Sequence, residues 1–289
     1  LVLRDMGANV EYLVPDRFKY GYGLTPKIAD LAFSRYQPDL LITVDNGISS
    51  HAGVEQAQAH GMQGIITDHP LTTKATPDAE AVVNPNQLGC EFPSKALAGV
   101  GVAFYLLANL SSHRSKLSKS SSKISDYLDL VALGTYADVA SLDYNNRILV
   151  DAGLKRIQRK QCRAGISALL DIAGRDPAQL KAQDLGFVLG PRINAAGRME
   201  TMDIGIECLL ANDLQTAYPL AQQLNQLNIE RRHVEADMKQ QALSALASLS
   251  LDSAQLPAAL ILFEPHWHQG VIGIVAGRLK EQFHRPSIV

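Results

Sequence analysis

Cysteine is scarce: Cys90, Cys162 and Cys208 are the three in 289 residues, and none forms a CxxC pair. An odd, widely spaced set argues against a disulfide framework and against a structural zinc site. Free thiols, buried or half-buried in a reducing compartment, are expected instead. Long apolar runs are missing too, since none approaches the roughly 20 residues that span a bilayer. No basic segment followed by an apolar core and a small-residue cleavage site opens the chain. The expectation is a soluble, cytoplasmic protein with no membrane partner. Charge of one sign is also lacking: 27 Lys and Arg face 29 Asp and Glu, for a formal net charge of −2. Any path for a polyanion must therefore be a local groove. What is present is a globular composition, 46% hydrophobic and 19% charged, which excludes a disordered or collagen-like chain. At about 150 residues per domain the length suggests roughly two domains.

The first part of the chain alternates strand-like and helix-like segments. The run Asp39 to Asp45 (DLLITVD) reads as a buried strand ending in a carboxylate. Ser50 to His60 has helical composition, with Gly61 as a C-cap candidate. Gly64 to Asp68 (GIITD) is the next strand, again ending in Asp. This rhythm predicts a parallel α/β sheet, whose ligands sit outside the carboxyl ends of the strands. An apolar helical stretch follows over Ile124 to Asp138, and a short helix over Gly165 to Gly174. Residues 111–125 hold eight serines and four Lys or Arg with no acid, and read as a solvated linker. Leu214 to Leu249 forms one long helical pattern, with Leu220, Leu224, Leu227, Val234 and Met238 on a stripe that Arg231 interrupts. The cluster Glu230, Arg231, Arg232, His233 and Glu235 is expected to face outward. After Pro257 a new strand, a loop and a helix predict a second α/β unit.

Five constellations carry chemistry. Asp45 precedes Asn46-Gly47 at a strand end, where an aspartate either caps a helix or binds a cation. Asp68 and His69 leave the next strand at the same edge. Carboxylate plus imidazole suits Mn²⁺, Fe²⁺, Zn²⁺ or, with more carboxylate, Mg²⁺. Asp138, in GTYADV, would add a third acid. Two metals about 4 Å apart would clamp both oxygens of an in-line phosphoryl displacement. In PRINAAGR, Arg192, Asn194 and Arg198 stand among small residues. They either fork phosphate oxygens or serve as helix-end caps and partners of Glu200. In HWHQGVIG, Trp267 lies between His266 and His268. The indole is a candidate for stacking a base, and the following helix N-terminus for a phosphate.

The segments TVDNGISSHAGVE, ITDH, NPN, FPSKALAGVGVAFYLL, DLVALGTYADV, NNRIL, DLGFVLGPRINAAGR and HWHQGVIGIVAGRLKE follow one another in this order. Together, over essentially the whole chain, they resemble the RecJ family of single-stranded-DNA-specific 5′→3′ exonucleases in the DHH phosphoesterase superfamily. The resemblance implies an α/β protein. A parallel-sheet DHH domain would cover 1–205, a connecting helix 206–250, and the beginning of a DHHA1 domain 251–289. It implies two-metal phosphodiester hydrolysis in DNA repair and recombination, with Mn²⁺ or Mg²⁺ as cofactor. Asp45, Asp68, His69 and Asp138 would be the catalytic residues, with Asp45, His69 and Asp138 as metal ligands. Arg192, Asn194, Arg198, His268 and Gly270 would contact nucleic acid. The implied partners are single-stranded DNA, a single-strand-binding protein and a RecQ-like helicase.

The sequence departs from the family pattern in two ways. The third signature letter is Pro70 rather than histidine, and proline can neither donate a hydrogen bond nor carry a proton. It also restricts His69 to extended conformations. The family's Asp-rich first motif is absent, residue 1 is Leu, and the later DHHA1 segment is absent beyond Val289. The expectation is a truncated chain with little nuclease activity. The alternatives are another DHH phosphodiesterase, acting on short oligonucleotides, cyclic dinucleotides or pyrophosphate, and an inactive product.

Overall fold

The structure, a computed structural model, describes residues 1–72, 75–114, 123–248 and 257–289. It divides into two compact units, Leu1–Gly190 and Pro191–Val289.

In the first unit two short helices, α1 (Val2–Asp5) and α2 (Arg17–Tyr20), precede α3 (Pro26–Tyr36). Thr25 caps α3 by accepting from the Ile28 N–H at 3.4 Å, and Pro26 sits where a helix has no N–H to lose. Next come β1 (Leu40–Val44), α4 (His51–Ala59), β2 (Gln63–Thr67) and β3 (Ala81–Val83). The three strands are parallel in the order β1-β2-β3, with Val44 opposite Thr67 and Thr67 opposite Val83. The parallel sheet and its first two strands lie where the sequence places them. Ser50 and His60 bound α4, and Gly61 follows with φ +79°. Leu24, Ile28, Ala29, Val54, Ala57, Met62 and Ile66 form one core cluster, which joins α3 and α4 to the sheet.

The long helices come next: α5 (Gly99–Arg114), α6 (Leu128–Ala137), α7 (Tyr144–Gln158) and α8 (Ala164–Ile172). The short α9 (Ala182–Asp184) runs through a π-turn at Leu185–Leu189 into α10 (Gly190–Met199). The serine-rich stretch lies, over 115–122, outside the described residues. Asp143 starts α7 by accepting from the Asn146 N–H at 2.8 Å. α6 and α7 pack closely because Gly153 has no side chain. A Cβ there would run into the Leu128 carbonyl and the Ala132 methyl. Gly153→Ala is expected to destabilise the unit by about 1–3 kcal/mol, and a thermal melt of the variant checks it. An unchanged midpoint would show that the two helices separate easily.

The second unit holds α10 after its first residue, α11 (Asp203–Leu210), α12 (Leu214–Ser248), β4 (Leu260–Ile261), α13 (Ile272–Phe283) and β5 (Ser287–Ile288). β4 and β5 pair in parallel around α13, as expected of a second α/β unit. At 35 residues, α12 is about 50 Å long. α11 packs on its first half, and α13 packs on it as well. Met238, Ala242 and Leu246 of α12 form a core with Leu260, Val271, Val275 and Leu279. The break at Gly190 comes earlier than the boundary at 205 expected from the sequence. Ile193 of α10 lies against Gly205 of α11, and α11 packs on α12, so α10 and α11 belong with the long helix. The cysteines are free thiols, and burial pushes the Cys208 thiol up to about 11. Among the described residues no helix is long and apolar enough to cross a membrane.

Candidate active site and nucleic-acid groove

The aligned ends of the three strands assemble the first site. The sheet ladder continues one step past β1 and β2. The Asp45 N–H donates to the Thr67 carbonyl at 3.0 Å, and the Asp68 N–H donates to the Val83 carbonyl at 3.1 Å. Asp45, Asp68 and Asn84 are thus the first residues beyond three neighbouring strands. Asp45 takes a left-handed conformation, φ +62°, which aspartate tolerates better than most residues. Gly99, the first residue of α5, lies against its carboxylate, and a Cβ at 99 would fall on Asp45 Oδ1.

His69 Nε2 stands 2.9 Å from Asp45 Oδ1 and 3.8 Å from Asp138 Oδ2. Asp138 arrives from another direction, as the C-cap of α6. The chain turns sharply after it. Val139 is left-handed at φ +55°, a strained choice for a β-branched residue, and its N–H donates to the Tyr136 carbonyl at 3.1 Å. Three residues separated by up to 93 positions therefore meet as carboxylate, imidazole and carboxylate (138 − 45). Burial pushes the Asp45 carboxyl above the usual range, His69 pulls it back, and Asp138 and Asp68 push it up again.

Asp68 plays a different part. It is buried, and its two oxygens accept from the Ile48 and His69 N–H groups, each at 3.0 Å. It ties the β1–α4 loop to the signature segment. Among the described residues no three His, Cys, Asp or Glu side chains form a ready-made metal cage. His69 Nε2 is engaged with Asp45 instead. The donor chemistry nonetheless fits a divalent cation. Hard carboxylate oxygens and one imidazole converge there, and positive charge relieves the crowding of the acids.

A second site lies wholly within the second unit. A groove of about 550 Å³ is lined by Asn194 and Arg198 of α10, Arg231, Arg232, Glu235 and Lys239 of α12, and Arg278 of α13, among others. Among the described residues five cations thus line the groove with a single carboxylate, a local basic groove in a chain of nearly neutral charge. Glu235 joins the helices, pairing with Arg231 at 2.7 Å and Arg278 at 3.2 Å. Among the described residues no carboxylate pairs with Arg232 or Lys239.

The other candidate contacts, Arg192, His268 and Gly270, have hydrogen-bond partners within the chain. Arg192 is not among the groove-lining residues, and its Nε donates to Asn225 Oδ1 at 3.0 Å. Gly270 serves packing: a Cβ there would strike the Arg198 backbone carbonyl, and its own carbonyl accepts from Arg198 Nη1 at 3.3 Å. His268 Nδ1 accepts from the Gly270 N–H at 3.1 Å and shapes the same turn. Trp267 packs against the core of the unit and donates its indole N–H to Gln241 Oε1 at 2.7 Å. It is thus half-buried rather than laid open as a stacking platform. Arg231 and Glu235 do not face outward as expected. Their ion pairs draw them in, with side chains 13% and 16% exposed.

Sequence reasoning missed Arg231, Arg232, Lys239 and Arg278 as groove residues. The four-residue spacing of Arg231, Glu235 and Lys239 is a helical face readable in the sequence, though its partner helix is not.

Comparison with known proteins finds similarity over the whole chain. Residues 1–135 match the model of the DHH family, N-terminal domain. The single-stranded-DNA-specific exonuclease RecJ of Dickeya dadantii is 51% identical over 295 aligned residues, which cover 100% of this chain and 51% of that protein. The chain spans about half the length of the curated relatives it matches. The crystal structure of exonuclease RecJ bound to manganese superposes with a TM-score of 0.85 at 34% identity, covering 99% of this chain and 69% of that one. The crystal structure of RecJ from Thermus thermophilus in complex with Mg²⁺ gives 0.64 at 29% identity, covering 91% and 42%.

Proposed function

The chain belongs to the RecJ family of DHH proteins, and on that premise we propose that it forms the catalytic core of a 5′→3′ exonuclease acting on single-stranded DNA. The observation that carries this reading is the meeting of Asp45, His69 and Asp138 at the carboxyl edge of a parallel sheet. Those three residues would hold Mn²⁺ or Mg²⁺, the ions in the solved relatives. A bound divalent cation supplies Lewis acidity and an activated water for phosphodiester hydrolysis. The chain's own residues position and neutralise. Asp68 fixes the His69 backbone, and Asn194, Arg198, Arg232 and Lys239 line a groove suited to a phosphate backbone.

Repair and recombination in the cytoplasm, with single strands presented by a single-strand-binding protein or a RecQ-like helicase, completes the proposal. The test is digestion of a 5′-labelled single strand with Mn²⁺, beside a duplex and a cyclic dinucleotide. Slow release from the single strand alone is expected. Preference for the dinucleotide would favour the runner-up phosphodiesterase.

A further inference from the structure

The segment Asn84-Pro85-Asn86, which directly follows β3, grips the loop at His69 and Pro70. Asn86 Nδ2 donates to the His69 carbonyl at 2.6 Å and to the Lys95 carbonyl at 2.9 Å. Asn84 Nδ2 donates to the Pro70 carbonyl at 3.0 Å, while its Oδ1 accepts from the Asn86 N–H at 2.7 Å. Asn84 is buried, at 1% exposure, and directly follows β3. Pro70 has no N–H, so the carbonyls of 69 and 70 are the backbone handles left on this segment. Both are taken by an asparagine amide. The Asp68 and His69 N–H groups are bonded as well, to the Val83 carbonyl and the Asp68 carboxylate. The backbone from 68 to 70 is thereby pinned, from β3 on one side and from the Lys95 loop on the other.

We propose that Asn86, seated by Asn84, is the positioning residue that aims the His69 imidazole at Asp45 and Asp138. An imidazole finds its partner only if its Cα is held in place, because two rotatable bonds amplify a backbone shift at the ring. Asn86 acts through His69 and touches no reacting atom. The consequence for metal binding rests on the function proposed above, but the aiming of the ring does not.

The experiment compares the chain with Asn86→Ala, the same-sized Asn86→Asp, which lacks the amide donor, and Ser94→Ala. The last removes the Ser94 hydroxyl bond to Asp143 Oδ2 (2.7 Å), a contact in the neighbouring loop that does not reach His69. Long-range ¹H–¹⁵N spectra of the His69 ring are recorded well below each melting point, followed by Mn²⁺ titration. Asn86→Ala and Asn86→Asp are expected to move the His69 Nε2 resonance off its Asp45-bonded position. They should also weaken Mn²⁺ binding about 10–100-fold. Ser94→Ala should leave both unchanged, which a merely structural loss would not. If Asn86→Ala does not fold, Asn86→Asp decides. A His69 ring unchanged by removal of the Asn86 donor overturns the proposal. If the unsubstituted chain binds no Mn²⁺, the catalytic reading fails, while the His69 spectra still decide the role of Asn86.

Discussion

Pro70→His is expected to raise Mn²⁺-dependent hydrolysis of single-stranded DNA by about 10²–10³-fold, the usual worth of one active-site donor. Residue 70 adjoins His69, which meets Asp45 and Asp138. Proline at 70 offers no proton and no donor. An imidazole there titrates between about pH 5 and 8, and so can serve a reaction near neutrality as acid or base. The substitution should be tolerated. Pro70 is exposed, and Asn84 holds its carbonyl whatever the side chain. The gain should follow the titration of one new group, giving a pH profile absent from the unsubstituted chain. An unchanged rate in a folded variant would show that the third signature position is not what limits this chain.

The double substitution Arg232→Glu and Lys239→Glu should weaken single-strand binding by at least about tenfold and flatten its salt dependence. These two cations line the groove with no carboxylate pairing them among the described residues, so their charge is available to phosphate. At about 0.7 of log–log slope per neutralised phosphate, losing two contacts should reduce the slope by roughly 1.4. Arg231 is the informative contrast. Glu235 already holds it at 2.7 Å, so removing it disturbs the α12–α13 bridge as well as the groove. Equal affinity and slope in the double variant would move the strand path elsewhere.

The parallel sheet is readable because two β-branched runs each end in Asp with a helix between them, a local pattern with a local cause. Asp45, Asp68 and His69 are readable as chemistry-bearing residues for the same reason, and Asp138 as the acid that closes an apolar helical run. Their different roles are not. That Asp68 spends its oxygens on backbone N–H groups depends on the β1–α4 loop coming back to meet it. β3, only three residues long, carries too little periodicity to announce itself, and so the grip of Asn84 and Asn86 stays hidden. The groove illustrates the same limit. Each helix shows its own charges, but only packing brings Arg198, Arg232 and Arg278 around one space. Trp267 reads as a stacking surface because its neighbours are polar in sequence, whereas the fold turns it toward Gln241 and the core.

The central claim is that Asp45, His69 and Asp138 form one cation site at the edge of the sheet. Mn²⁺ titration followed by electron paramagnetic resonance, on the chain and on Asp45→Ala, His69→Ala and Asp138→Ala, tests it directly. The account predicts saturable binding in the unsubstituted chain and at least about tenfold weaker binding in each variant. Binding that survives all three substitutions, or no binding in the unsubstituted chain, would contradict it.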